Sequence, residues 1–404
     1  MTPTTSDNCA VQLLRRDQAA GVDLPNVLPA EVETIIATSK AQFIVLFASA
    51  LHIRACEHCR TLFSYHFKVP SIFWENSCKK ANGYFGCQNV IQENGLRKGY
   101  TTWLRFKVKQ MHDVPNSSKG SSGYDWYSPT YFTRWFTTGQ NILISFDTPP
   151  SLMQHISKSL LFDESSSLSA HDPYWVLAKL IQEVTESQDK SVWGIRDAIR
   201  RVEQSRNVHQ QRPEPDYHRF HDLARHATHS VETLEVAVNT ISHVIQLHEV
   251  FLEENKLLPG DPAIATRKQV KLQLQFLSCL LENFKFRAQS NKERLQNEIN
   301  LAFNTVAQYD SRISVRIGKA VQNDSASMKT IAVLTMLFLP ATFVSALFST
   351  TFFTFESNED GVPPKWFVSD KLWIYFIVSC PLTVVVLAFW SIWHRSLSSK
   401  QFEM

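Results

Sequence analysis

Two long uncharged runs near the C-terminal end dominate the hydropathy pattern of this chain. Ile331 to Phe353 contains 23 residues without a charged side chain, and Leu372 to Trp393 contains another 22. At about 1.5 Å per residue, a helix of either length crosses roughly 30 Å of hydrocarbon. Pro340 and Pro381 lie inside these runs, where a missing backbone donor is tolerated. The pattern predicts a transmembrane hairpin, with TM1 at 331–353 and TM2 at 372–393.

A long amphipathic stretch leads into the first run. Apolar residues recur in it at three- and four-residue steps: Leu281, Phe284, Ala288, Leu295, Ile299, Ala302, Val306, Tyr309, Ile313, Ile317 and Ala320. No Pro or Gly lies between Thr266 and Gly318, so we expect one helix that continues into TM1. An earlier helical pattern, Val231 to Leu252, is expected to fold back against it. The apolar seam is covered by helices of the same chain or by copies of itself, and the periodicity does not separate the two.

The chain before residue 206 shows mixed patterns. Thr102–Val108 and Asn141–Phe146 are predicted strands, Tyr127–Phe136 is a third, and helices are expected from Ser151 and over Tyr174–Arg206. Segments rich in Ser, Gly or Asn at 116–123 and 165–169 are predicted to be flexible. The fold class is therefore α+β: an N-terminal cytosolic α/β domain, a long amphipathic stalk helix and a C-terminal two-helix hairpin.

Five regions follow from these patterns. We expect a partly ordered N-terminal region at 1–100, the α/β domain at 101–206, a folded-back and stalk region at 207–329, the hairpin at 330–395 and a cytosolic tail at 396–404.

Charge and cysteine content indicate the cellular compartment and the class of partner for most of the chain. A net charge of +3 without a long basic run disfavours nucleic acid as a partner. Seven cysteines, an odd number, are typical of a reducing compartment. Basic residues flank the two runs on their outer sides: Arg312, Arg316, Lys319, Lys329, His394, Arg395 and Lys400. The positive-inside rule then predicts both termini in the cytosol of a multi-pass membrane protein, with the plasma membrane favoured over an organelle.

Two metal-site alternatives arise from residue spacing. Cys56, Cys59, Cys78 and Cys87 offer four zinc ligands, but the second pair is spaced more widely than in zinc ribbons, and free buried thiols are the default. Two histidine pairs have a permissible ligand spacing on a helix and equally suit a solvated face: His218 with His221 and His226 with His229. No phosphate-binding glycine loop, nucleophile elbow or zincin motif occurs, so we expect no enzyme and no NTP-driven pump.

The end of the first run resembles a known transporter family. Residues 339–348, Leu-Pro-Ala-Thr-Phe-Val-Ser-Ala-Leu-Phe, are similar to the corresponding stretch of the CorA and ZntB divalent-cation transporters. The order of elements from Thr101 to Arg395 is also that of the family. Residues 126–150 and Ser191-Val192-Trp193 look like the fungal branch of CorA-like proteins.

This resemblance implies a homopentamer in membrane lipid, with a pore lined by TM1 and no cofactor beyond the transported divalent cation, Mg²⁺ or Zn²⁺. Laid on this chain, the pore-lining stripe comprises Met328, Ile331, Thr335, Leu339, Thr342 and Leu347. A mostly apolar constriction of this kind suits gating by dewetting. Tight helix packing by small and aliphatic residues is the structural alternative.

The pore mouth departs from the family pattern. Members that carry magnesium have Tyr-Gly-Met-Asn there, whereas this chain has Phe348 followed by Ser349, Thr350 and Thr351. Hydrated Mg²⁺ needs a ring of oxygen acceptors, and these hydroxyls are weaker acceptors than an asparagine amide. Acidic residues follow in the loop: Glu356, Glu359 and Asp360, which would attract cations or simply be solvated. The sequence therefore indicates a passive CorA-like cation channel, with a non-conducting scaffold or regulatory subunit as the alternative.

Overall fold

The structure is a computed structural model that describes residues 9, 11–15, 26–27, 31–32, 34, 43–91, 97–113, 122–161, 171–206, 212–348, 353–356 and 365–401. The chain divides into two compact units, residues 1–304 and 305–404, each described by itself below.

The first unit is built on a seven-stranded sheet in the order β2-β1-β3-β9-β8-β5-β4. Its strands are β1 (Val11–Arg15), β2 (Asn26–Val27), β3 (Phe43–Ala48), β4 (Tyr84–Ile91), β5 (Arg97–Arg105), β8 (Thr130–Phe136) and β9 (Asn141–Phe146). Strands β3 and β9 pair in parallel, and the other neighbours are antiparallel. A separate ribbon pairs β6 (Val108–Asp113) with β7 (Ser122–Tyr127).

Helices cover both faces of the sheet. One layer contains α1 (Ala50–Ala55), α2 (Glu57–Phe67), a short 3₁₀ turn (Ser71–Trp74) and α3 (Asn76–Lys80). The other contains α4 (Pro150–Leu161), α5 (Tyr174–Gln204), α6 (Tyr217–Glu254) and the first part of α7 (Ala263–Phe348). Alternate side chains of β3 enter different cores, since Phe43, Val45 and Phe47 join the second layer while Ile44 and Leu46 join the first. Burial on both faces explains why this strand is a continuous apolar run.

The second unit contains the rest of α7, a hairpin of β10 (Phe353–Glu356) and β11 (Lys365–Val368), and α8 (Leu372–Gln401). Helix α7 is continuous from Ala263 to Phe348, with Pro340 inside it. The predicted architecture is therefore confirmed: an N-terminal α/β domain, one long helix and a second apolar helix.

Several predicted boundaries differ from the structure. The boundary placed at residue 101 lies inside β5, and β1 to β4 come from the region expected to be only partly ordered. Among them, β3 lacks an alternation of apolar and polar residues because both of its faces are buried. The predicted strand at 102–108 is split, because the Phe106 N–H donates to the Pro129 carbonyl at 3.1 Å. Within predicted TM1, α7 is described as helix to Phe348 and Phe353 begins β10, while α8 extends into the expected tail.

The two segments predicted to be flexible are mostly outside the described residues. Residues 116–121 and 165–169 fall there, while residues 122 and 123 begin β7.

Candidate functional site

Among the described residues, two helices are long and apolar enough to cross a membrane. The apolar part of α7 has a mean hydropathy of 2.0, and Leu372–Trp393 of α8 has 2.3. Only 11% and 6% of these windows are buried, so neither is the covered core helix of a soluble domain. An uncovered surface of this size needs lipid or other apolar surface around it. The pair indicates a membrane protein.

The two apolar helices contact each other along one face. The Tyr375 hydroxyl on α8 donates to the Ala341 carbonyl on α7 at 3.1 Å. Pro340 and Val344 on α7 and Ser379 on α8 are buried between them. The buried side chains at this contact are small or branched, as is common where helices associate without a hydrophobic driving force from water. This contact leaves the opposite side of α7 uncovered.

Five of the predicted pore-lining residues share that uncovered side: Met328, Ile331, Thr335, Leu339 and Thr342, all exposed. The Thr335 hydroxyl donates to the Ile331 carbonyl at 2.8 Å, and Thr342 donates to Leu339 at 2.9 Å, so neither hydroxyl needs an outside partner. We call these five residues the open stripe. Leu347 is also exposed, but it lies about 120° round the helix from the middle of the stripe at about 3.6 residues per turn.

The predicted pore mouth lies largely outside the described residues. Ser349, Thr350, Thr351, Glu359 and Asp360 all fall there. The backbone of Glu356 ends β10, where it is paired in register with Lys365 of β11.

In the first unit, α7 has a covered face and an exposed apolar face. The covered face packs against α5 and α6 through Val270, Leu274, Leu277, Leu281, Ala288 and Leu295. The exposed face carries large apolar side chains that we call the outer stripe: Leu272, Phe276, Phe286 and Leu301. Phe276 and Phe286 are each 61% exposed, which is an unusually high exposure for phenylalanine on the surface of a soluble domain. The outer stripe is therefore a candidate surface for contact with another chain.

The four cysteines considered for a zinc site do not converge. Cys56 and Cys59 lie together at the start of α2, but their third neighbour is Cys9, which the sequence reasoning had not linked to them. Cys78 lies beside Tyr84, and Cys87 beside Tyr100 and Tyr174. The Cys₄ alternative is therefore wrong, because β4 carries Cys87 to the far edge of the sheet from β1.

The second histidine pair faces a lysine. Lys109 of β6 is buried; its ammonium nitrogen lies 2.9 Å from His229 Nδ1 and 4.2 Å from the centre of the Tyr124 ring. Burial, with help from Lys109, lowers the pKa of His226 to about 4, so this ring is neutral near pH 7. A cation this close opposes metal binding by the pair. His218 and His221 are exposed.

Another cluster, missed at the sequence level, joins α4 and α5. His155, Glu183 and Glu186 bring their ligand atoms within 4.8 Å of one another. His155 Nδ1 is 3.8 Å from Glu183 Oε2, and burial raises the pKa of Glu183. The i, i+3 spacing of the two glutamates on α5 was the available signal, but surface helices commonly show such spacing without a ligand.

No family model matches this sequence. A curated relative from Aspergillus versicolor, "Notoamide biosynthesis cluster protein M'", is 29% identical over 302 residues, which cover 70% of this chain and 61% of the relative. The chain thus spans less than two thirds of that relative's length.

Several solved structures are similar to this chain, and three of them are as follows. The full-length CmaX protein is 12% identical to this chain, with a TM-score of 0.42. The match covers 96% of this chain and 98% of CmaX. The complete CorA magnesium transporter from Methanocaldococcus jannaschii is 9% identical, covers 94% and 96%, and has a TM-score of 0.38. The ZntB cytoplasmic domain from Vibrio parahaemolyticus is 9% identical, covers 72% and 98%, and has a TM-score of 0.36.

Proposed function

We propose that this chain is a subunit of a homo-oligomeric, CorA-like membrane channel that passes divalent cations of the Mg²⁺ or Zn²⁺ type passively. The observation that carries the proposal is the open stripe on α7. It lies opposite the α8 contact and combines exposed aliphatic residues with two threonines whose hydroxyls are satisfied within the helix. Several copies that turn this stripe toward a common axis form a narrow apolar constriction with hydroxyl rings, which suits gating by dewetting.

A pentamer and a fixed orientation complete the proposal. The outer stripe supplies apolar surface for contacts between copies, and five subunits follow from the family resemblance. Basic residues on the outer flanks of both helices favour cytosolic termini at a plasma membrane. An inside-negative potential then drives uptake, with about 2.3 kcal/mol per charge for each 100 mV.

The test is cation uptake into liposomes that contain the purified full-length chain. Mg²⁺, Zn²⁺, Co²⁺ and Ni²⁺ are compared under an inside-negative potential, for wild type, Leu339→Ser and Leu334→Ser. Leu339 belongs to the open stripe, whereas Leu334 is an exposed leucine on another side of the same helix and serves as the matched control. In Leu339→Ser, a ring of serine hydroxyls at the constriction keeps water in the pore, so this variant should increase cation flux. Leu334→Ser should leave the flux near the wild-type level.

A second variant addresses ion choice. Thr351→Asn restores an amide acceptor at the predicted mouth and should increase the share of Mg²⁺ in the total flux. If both leucine variants change flux equally, the stripe does not line a pore. No flux of any cation from a folded oligomer would favour the scaffold alternative, in which the hairpin only anchors the chain and the outer stripe binds protein.

A further inference from the structure

Three cysteine sulfurs converge at one edge of the α/β domain. Cys9 lies just before β1, and Cys56 and Cys59 stand at the start of α2. All three Sγ atoms lie within 4.8 Å of one another. Cys9 and Cys59 are buried, whereas Cys56 is partly exposed.

The fold brings these cysteines together from two separate segments. Strand β1 pairs with β3, and the chain after β3 turns through α1 into α2 beside the beginning of β1. Cys56 occupies the junction, where its N–H donates to the His52 carbonyl at 3.2 Å and it then serves as the N-cap of α2. The Cys9 thiol lies 3.7 Å from the same His52 carbonyl, which anchors it at this junction.

The three thiols differ in acidity. The backbone amides at the start of α2, that of Cys59 above all, lower the pKa of the Cys56 thiol, as the start of a helix commonly does for a cysteine. Burial raises the pKa of Cys9 and of Cys59. The cluster is therefore suited to hold one thiolate with two protonated thiols directed at it.

The spacing is close to what a metal ion requires. Two sulfurs bound to one Zn²⁺ at about 2.3 Å lie about 3.8 Å apart in a tetrahedral site. Small side-chain rotations close the difference from the observed spacing. Thiolates select soft ions such as Zn²⁺ and Cu⁺ over Mg²⁺, and the partly exposed Cys56 gives such an ion access from solvent.

We propose that Cys9, Cys56 and Cys59 form a trithiolate site that binds one thiophilic metal ion of the Zn²⁺ or Cu⁺ class, with an open coordination position on the solvent side of Cys56. The Cys56 thiolate binds the ion directly. The protons of Cys9 and Cys59 are released to solvent as their sulfurs bind, so no oxidation or reduction takes place. The site is independent of cation transport through the hairpin.

The test uses the purified full-length chain in detergent, kept anaerobic with a non-thiol reductant. Zn²⁺ bound per chain is measured after gel filtration, and Co²⁺ is then used as a spectroscopic probe for thiolate-to-metal charge-transfer absorption. Wild type should retain one Zn²⁺ per chain and show the absorption with Co²⁺. Cys9→Ser and Cys59→Ser should lose both signals, while the matched controls Cys78→Ser and Cys87→Ser keep them.

A footprint on the wild-type chain makes the test independent of folding in the variants. The footprint is read at Cys56, because this residue is partly exposed whereas Cys9 and Cys59 are buried. Zn²⁺ should protect Cys56 from alkylation by iodoacetamide, while the exposed Cys279 stays reactive. Zn²⁺ retention by the triple serine variant, or no protection of Cys56, would overturn the proposal. A disulfide within the cluster that persists under the reductant would also overturn it. Binding is read without a membrane gradient, so its failure is distinct from a failure of transport.

Discussion

At the scale of single residues, one polar contact is a fully buried pair. His248 Nε2 of α6 lies 2.8 Å from Asp172 Oδ2, and neither side chain is more than 1% exposed. The other carboxylate oxygen accepts the Tyr174 N–H at 2.9 Å, at the start of α5. Asp172 therefore joins two helices of the main core, and its removal leaves the buried imidazole of His248 without this hydrogen-bond partner.

Asp172→Ala should lower the free energy of unfolding by about 3 kcal/mol, because breaking a buried polar pair leaves its partner uncompensated. Urea unfolding of the detergent-purified chain, followed by tryptophan fluorescence, measures the change. The matched control is Asp197→Ala at an exposed ion pair with Arg196, where about 0–1 kcal/mol is expected. Equal losses in the two variants would contradict the role given to the buried pair.

Lys109 predicts a pH dependence at the same scale. Burial lowers its pKa to about 8, below the value of about 10.4 in an unfolded chain. Between these two pKa values the unfolded chain binds more protons at Lys109 than the folded chain does. The free energy of unfolding should therefore rise with pH from about 8 to about 10. Lys109→Met, which keeps the contacts with Tyr124 and Trp126, should flatten this rise.

Thermal unfolding midpoints at several pH values check the Lys109 prediction. Lys107→Met is the control, because Lys107 lies over the same Trp126 ring at 4.6 Å but is partly exposed. A rise that persists unchanged in Lys109→Met would assign it to another group.

At the scale of elements, two ion pairs join α5, and the residues just after it, to α7. Arg294 binds Glu203 through two contacts of 3.0 and 2.7 Å, and Arg206 binds Glu298 with both ends of its guanidinium group. Beside them, Ile199, Val202 and Leu295 form a small apolar cluster. These contacts hold the first part of α7 against the α/β domain.

Arg294→Met should weaken this contact at pH 7 but not at low pH. The hydrogen bond from Arg294 lowers the pKa of Glu203 below its ordinary value. The stabilisation is therefore present above about pH 4.3 and is lost as pH falls through the lower folded-state pKa. At pH 7, backbone hydrogen exchange in the C-terminal part of α5 should be faster in Arg294→Met than in wild type, with Lys292→Met as the control. Near pH 3, the urea unfolding midpoints of Arg294→Met and wild type should converge. Different midpoints at pH 3 would show that lost packing, and not charge, explains the effect.

At the scale of the whole molecule, each of the two units leaves an apolar helical face uncovered. The outer stripe belongs to the first unit and the open stripe to the second. Exposed apolar surface of this extent is typical of subunit interfaces and membrane contacts.

Phe276→Glu should reduce the oligomer mass of the detergent-purified chain, because a carboxylate in an apolar interface loses its hydration. Light scattering coupled to gel filtration measures the mass. Leu258→Glu is the matched control, since Leu258 is 82% exposed but lies in the turn before α7, away from the outer stripe. An unchanged mass in Phe276→Glu, or an equal loss in both variants, would place the interface elsewhere.

Local sequence patterns were sufficient to predict the helices and strands that contact lipid, solvent or residues near them in the chain. The apolar parts of α7 and α8 were predictable because charge-free length alone decides whether a helix suits a bilayer. Strand β9 matched its predicted bounds, and α5 began at the predicted Tyr174, because β-branched runs and helical periodicity are local signals. The pore-lining stripe came from the family resemblance and stays a prediction; five of its six residues share one side of α7, whereas the angular spacing places Leu347 elsewhere.

The sequence by itself therefore determined the membrane helices, the long amphipathic helix and the presence of an α/β domain. Only the tertiary structure decided that β1 to β4 complete the sheet, that β3 and β9 pair in parallel, that α8 covers one side of α7, and that Cys9 meets Cys56 and Cys59. Periodicity specifies which face of an element is apolar, but it contains no information on which distant segment will cover that face. Strand pairing and the convergence of the cysteines depend on contacts summed over the whole chain, and only the folded molecule brings those segments together.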